Sequence, residues 1–189
     1  MRLQPLPPHT LSPELRYVHD EIANVITSSQ GPVVMMNAEG ALLGPFPAML
    51  HFPQFGIPAL TFLKSLDNHA SLPKTVREVA ILTVGGAFGS RFELYAHEIM
   101  AAAFGLSAGI IASLAAGGRP EGLNEQEAIA HDVASVLVKG HVVPASTYHQ
   151  AVNVLGQNKT GELIFLISGY CLIATVLNGF DMPAPENNG

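Results

Sequence analysis

Residues 74–104 read KTVREVAILTVGGAFGSRFELYAHEIMAAAF. Val76, Val79, Ala80 and Thr83 recur at helical spacing, and Leu72-Pro73-Lys74 opens the segment with a proline in the first turn. Gly85-Gly86 breaks the pattern, and Ser90 is a residue type that caps a new helix, which runs to the C-terminal glycine Gly105. The spacing predicts helices over 73–86 and 90–104. The few residues between them predict an antiparallel hairpin. On the second helix Ser90, Glu93 and His97 fall three and four residues apart, so they share one side. Glu78, halfway along the first helix, then faces the middle of its partner, where Glu93 and His97 sit.

The same signals extend outward. Ser12-Pro13-Glu14 starts a helix that carries Leu15, Val18, Ile22, Val25 and Ile26 on one face. The stretch SSQGPVVMMNAEGALLGPFPAML breaks that pattern and predicts a long loop over 31–47, the kind that often walls an entrance. A short helix is expected near Phe46, and others over 53–68, from Ser107 to Ala116, from a capping box at Asn124 and Glu127 to Lys139, from Pro144 to Gly156, and from Gly161 to Asn178. No stretch alternates as a strand would. The reading is all-α: one domain over 1–189 of about eight helices, with an extended arm at 1–11 and a disordered tail at 181–189.

Composition bounds the function. The chain is 48% apolar and only 13% charged, against about a quarter in ordinary domains. That deficit predicts a surface partly buried against further copies, a homo-oligomer. A net charge of −6, nine Lys and Arg without a basic run, and no Trp argue against nucleic-acid partners. The single cysteine, Cys171, rules out an intrachain disulfide, a CxxC pair or a cysteine-rich zinc site, and in LISGYCLIATVL it reads as a small buried hydrophobe. The N-terminus, MRLQPLPPHTLSPELR, lacks the apolar core of a signal peptide. The run 163–180 approaches membrane-span length, yet it holds Ser168, Gly169, Tyr170, Thr175 and Asn178 and has no basic C-terminal flank. A buried helix and a cytoplasmic protein without membrane contact are expected.

Glu78 lies in VREVAILTV, apolar after the Arg-Glu pair. Desolvation there would raise its pKa, and a histidine within reach makes a proton partner. The alternative is an ordinary Glu93–His97 pair at i,i+4 on a solvated face. Glu78, Glu93 and His97 also suit a metal, but helical-bundle metal sites repeat Glu-x-x-His on two helices and no second copy exists here. No metal or cofactor is expected. His51 is a further candidate polar contact. His131, His141 and His149 share no face and read as surface residues.

These residues together resemble the carboxymuconolactone decarboxylase family, which includes the alkylhydroperoxidase D-like proteins. The redox members carry Glu, then Cys twelve residues on, a second Cys three further and His four further. Counted from Glu78, those places are Ser90, Glu93 and His97, so both thiols are replaced. REVAIL, FELYAHEIMAAAFGLS, GPF at 44–46, HVVPASTYHQAVNVLG and LNGFDMP are also similar to members of this family, over roughly residues 12–183. The resemblance implies an all-helical fold assembled as trimers or hexamers, with His97 as proton donor or acceptor. Peroxidase chemistry is excluded because it needs a thiolate and a resolving thiol. The expectation is a cofactor-free decarboxylase or related lyase for a small lactone or keto-acid. His97 transfers the proton, Glu93 orients the imidazole or acts as a second acid–base group, and Glu78 completes the relay. Ser90 hydrogen-bonds a substrate oxygen, with Arg77 and Arg91 flanking the site as candidate substrate contacts. Isomerisation, dehydration or a retro-aldol step would suit the same groups, and a non-catalytic binding or assembly role on the same scaffold is the other alternative.

Overall fold

The computed structural model describes residues 1–29 and 31–185, without the side chains of residues 28 and 29. The end of the expected tail, 186–189, and Gln30 at the mouth of the loop lie outside the described residues. A 3-10 turn, Pro8–Thr10, precedes nine α-helices among the described residues. They are α1 Pro13–Ser29, α2 Phe46–His51, α3 Pro53–Asn68, α4 Lys74–Phe88, α5 Arg91–Ala103, α6 Ala108–Ala115, α7 Glu125–Leu137, α8 Ala145–Leu155 and α9 Gln157–Gly179. The described residues hold no strand; one antiparallel bridge, Met36 to Leu42, pinches the long loop.

The centre of the molecule is α4. A helix that is apolar nearly all round must be covered nearly all round. Val76, Val79, Ala80, Ile81, Leu82, Thr83, Val84 and Gly85 are all buried, and α5, α6, α7 and α9 pack about them. The main core cluster runs through Ile81, Val84, Ile129, Val133, Leu163, Leu166 and Ile167. A second, with Leu42, Met49, Phe92 and Ile173, lies under α1, α2 and the long loop. α7 opens on the expected capping box, Asn124 and Glu127 each bonding the other's backbone N–H at 3.0 Å. Its inner face holds His131, 6% exposed and not at the surface as the scattered histidines suggested. Its ring bonds Asp132 and Ser135, and α7 packs on α4 and α9.

The turn after α4 builds the hairpin. Gly89 adopts the left-handed conformation (φ 59, ψ 36), and the N–H groups of Gly89 and Ser90 return to the carbonyls of Gly86 and Gly85. The chain reverses within two residues and lays α5 along α4. Ser90 occupies the capping position, but its hydroxyl makes no cap bond.

α9 begins at Gln157, four residues before the expected start. It is the one described helix long and apolar enough to cross a membrane, with a mean hydropathy of 1.8 over its most apolar window, of which 44% is buried inside the molecule. One side packs on α3, α4, α5, α7 and α8; the other exposes Phe165 and Leu172. The tail is held as far as it is described. Met182 is 3% exposed, the Met1 ammonium bonds Asp181 at 3.0 Å, and Arg2 bonds the carbonyl of Gly179 at 2.7 Å. Asp181 and Met182, at the head of the expected tail, therefore belong to the packed structure, the first held by the N-terminal arm and the second buried in the core.

Candidate active site

The hairpin brings two of the four motif residues into direct contact. His97 Nδ1 lies 2.9 Å from Glu78 Oε2. With Glu78 as acceptor, Nδ1–H donates, and Nε2 is the ring nitrogen that Glu78 does not engage. The pair is shielded but not sealed: the Glu78 side chain is 6% exposed and that of His97 is 17%. Tyr170, from α9, sets its ring edge-on against the imidazole at 5.0 Å between centroids and 88°. Burial, then the charges of Asp67 and Glu78, push the Tyr170 hydroxyl far above its ordinary value, so it stays protonated.

Glu93 does not orient His97, although it lies one turn away. Its carboxyl is 2% exposed and neither oxygen has a hydrogen-bond partner among the described residues. The Ser90 hydroxyl, fully buried, is equally bare. Desolvation holds the Glu93 carboxyl well above the usual carboxylate range. The same burial, aided by Glu93, raises the Cys171 thiol, and Cys171 is half-buried against the main core, as a small apolar residue would be. Sequence reasoning attached desolvation to Glu78 for its apolar neighbours. The fold buries both acids, gives Glu78 an imidazole partner and leaves Glu93 bare.

The other candidates sit elsewhere. Arg77 points away from the pair to Asp67 at 2.6 Å, Glu162 at 3.3 Å and the carbonyl of Leu66, tying α3, α4 and α9 together. Arg91 bonds Asp181 at 2.6 Å near the chain ends. His51 bonds the carbonyl of Gln4 in the N-terminal arm. Both Arg77 amino groups, one of Arg91 and the His51 Nε2 are thus engaged with structural partners in this structure. The loop 31–45 covers α5 on its far side: the Val34 N–H bonds the Tyr95 hydroxyl, and Gly44 (φ 66) packs so tightly that a Cβ there would stand 2.4 Å from the Phe92 ring. An apolar cavity of about 390 Å³ opens between α2, α3 and α9, lined by Met49, Phe52, Phe55, Leu172, Val176 and Phe180. Neither Glu93 nor His97 lines it. No group of three or more potential metal ligands occurs among the described residues. Tyr170 is the contact that sequence reading missed, because nothing local links it to a histidine on a different helix.

The fold and site thus define an all-helical protein with a Glu–His pair held across a tight two-helix hairpin. Solved structures place it further. The chain superposes on an alkylhydroperoxidase AhpD core protein, an uncharacterised peroxidase-related protein from Ralstonia eutropha JMP134, with a TM-score of 0.76 at 13% identity, over 98% of this chain and 92% of that one. The debrominase Bmp8, solved in complex with 2,3,4-tribromopyrrole, superposes with a TM-score of 0.73 at 12% identity, over 97% and 91%. The fold is therefore the AhpD-like one that the resemblance implies. No protein-family profile and no curated protein matches the sequence.

Proposed function

We propose that the protein is a cofactor-independent acid–base enzyme, a decarboxylase or related lyase for a small keto-acid or lactone, with His97 moving the proton. The observation that carries this reading is the part-buried 2.9 Å contact between His97 Nδ1 and Glu78 Oε2. With Nδ1–H donating to Glu78, the other ring nitrogen would exchange the proton, an arrangement that suits general acid–base catalysis. The folds of a debrominase and a peroxidase-related protein support an enzymatic scaffold. Peroxidase chemistry that needs a thiolate and a resolving thiol does not fit these residues, since Ser90 and Glu93 stand at the places the resemblance gives to thiols and Cys171 has no second cysteine to pair with.

For a β-keto acid the steps balance as follows. The bond from the α-carbon to the carboxylate breaks and carbon dioxide leaves. The electron pair is held as an enolate, with charge on the ketone oxygen. Protonated His97 then gives its proton to the α-carbon, the carbonyl reforms, and solvent restores the imidazolium. Carbon dioxide release from a panel of β-keto acids and lactones tests the reading. His97→Ala is expected to leave the fold intact and lower turnover about a hundredfold or more; undiminished turnover overturns it. The same proposal includes self-assembly as a trimer or hexamer, supported by the uncovered Phe55 (72% exposed) and Phe165 (61%). A monomer at all concentrations in sedimentation would refute that part.

A further inference from the structure

Three buried side-chain atoms lack partners among the described residues: Ser90 Oγ, Glu93 Oε1 and Glu93 Oε2. Buried polar groups are almost always paired, and bare ones are destabilising, so three in adjacent positions call for an explanation. They occupy one place, the first turn of α5. The leading N–H groups of a helix have no partners within it, and here the Ser90 hydroxyl caps none of them. This end of the helix carries partial positive charge. Gly85, opposite on α4, has no side chain, and a Cβ there would come within 3.6 Å of Glu93 Oε1. The carboxyl is thus turned toward a glycine surface instead of toward a basic group.

Building on the acid–base reading above, we propose that Glu93 works as an uncharged carboxylic acid whose O–H, together with the Ser90 hydroxyl, donates hydrogen bonds to the substrate oxygen that becomes the enolate. The site then divides into a proton-moving pair, Glu78–His97, and a charge-holding pair, Ser90–Glu93. The substrates that fit are carboxylates with a ketone carbonyl on the β-carbon, because loss of carbon dioxide places the charge on one oxygen. An ionised Glu93 could only accept hydrogen bonds and would repel that oxygen. The positive end of α5 favours an ionised carboxyl, but burial without a paired partner opposes it and outweighs it. The elements packed on α5 are α4, α6 and α9; α4 presents Glu78 and Arg77, α9 presents Tyr170 and Cys171, and α6 carries no titratable group. His97 on α5 itself is bonded to Glu78, Arg77 is paired with Asp67 and Glu162, and neither bonds Glu93. Both donors are covered in this structure, so a substrate oxygen reaches them when the packing over the first turn of α5 gives way.

Infrared difference spectra between the wild type and Glu93→Gln, taken at neutral pH, test the protonation state. The expected result is the C=O band of a protonated carboxylic acid in the wild type alone; ionised-carboxylate bands in its place overturn the proposal. Acetylacetone, whose enolate is seen by its ultraviolet absorbance, tests the donors. Enolate binding is expected to persist in Glu93→Gln, which keeps an N–H donor, and to weaken at least about tenfold in the Ser90→Ala, Glu93→Leu double variant, as loss of such donors does. Equal binding by the folded double variant overturns the proposal. His97→Ala separates the two readings. It is expected to keep the acid band and enolate binding while losing turnover, so retained turnover counts against His97 alone, and a missing acid band in the wild type counts against Glu93 alone.

Discussion

Replacing Glu93 by Gln keeps the side-chain shape and removes its ionisation. In the unfolded chain a glutamate titrates near pH 4.3. In the folded protein burial raises that value well above the ordinary range. Between the two values the native state holds a proton that the unfolded state has released, so wild-type stability falls as pH rises. The favourable contribution is complete below about pH 4.3 and is lost as pH climbs to the folded value, at up to about 1.4 kcal/mol per pH unit. Glu93→Gln has no such group and lacks this slope. For a chain of 189 residues the melting temperatures should diverge by about 3–6 °C per pH unit within that window, with the variant the more stable. Urea unfolding of both proteins, at intervals from about pH 4 to pH 8, measures it through the midpoint, with the urea slope unchanged. Parallel stability profiles across that range would refute the claim that Glu93 is desolvated and unpaired.

Three further perturbations probe the pair, the loop and the clamp. Glu78→Gln removes the charge that holds the imidazole, and turnover should fall about a hundredfold with little change in melting temperature; full activity in steady-state assays would detach Glu78 from the mechanism. Gly44→Ala forces a side chain into the left-handed region and onto the Phe92 ring, so thermal unfolding should show a loss of about 2 kcal/mol or more, and an unchanged melting temperature would contradict the packing of the loop on α5. Glu162→Gln weakens a clamp in which the carboxylate accepts from Ser71 and Leu72 and pairs with Arg77. Burial works against its charge there, but those bonds and the Arg77 charge hold it below the usual carboxylate range. The clamp stabilises above the unfolded value near pH 4.3 and is lost as pH falls through the lower folded value. The variant should lose about 1–3 kcal/mol at neutral pH in urea titrations, with the deficit shrinking in acid.

The helices were legible where the signal is local. Asn124 and Glu127 close their capping box within three residues, and the Ser107 hydroxyl accepts from the Ile110 N–H as its position suggests. Boundaries slipped where packing overrides propensity. α4 runs through Gly85-Gly86 to Phe88, because Gly85 is buried where α5 approaches. Arg77 and Arg91, neighbours of the site in sequence, were drawn to acids on other elements, Asp67, Glu162 and Asp181. No spacing rule reaches that far.

Sequence by itself determined the hairpin and the order of Glu78, Ser90, Glu93 and His97 along its two helices. Helical geometry and residue identity are local properties, so those conclusions need nothing beyond the chain. Only the tertiary structure decided which acid holds His97. It is Glu78, nineteen residues away, and not Glu93, one turn away on the same helix. It also decided that Tyr170 closes over the ring, and that Ser90 and Glu93 are buried without partners. Pairing and desolvation depend on what the rest of the chain lays over a helix face. Here α9 covers α4 and α5, and no periodicity within SRFELYAHE could carry that information.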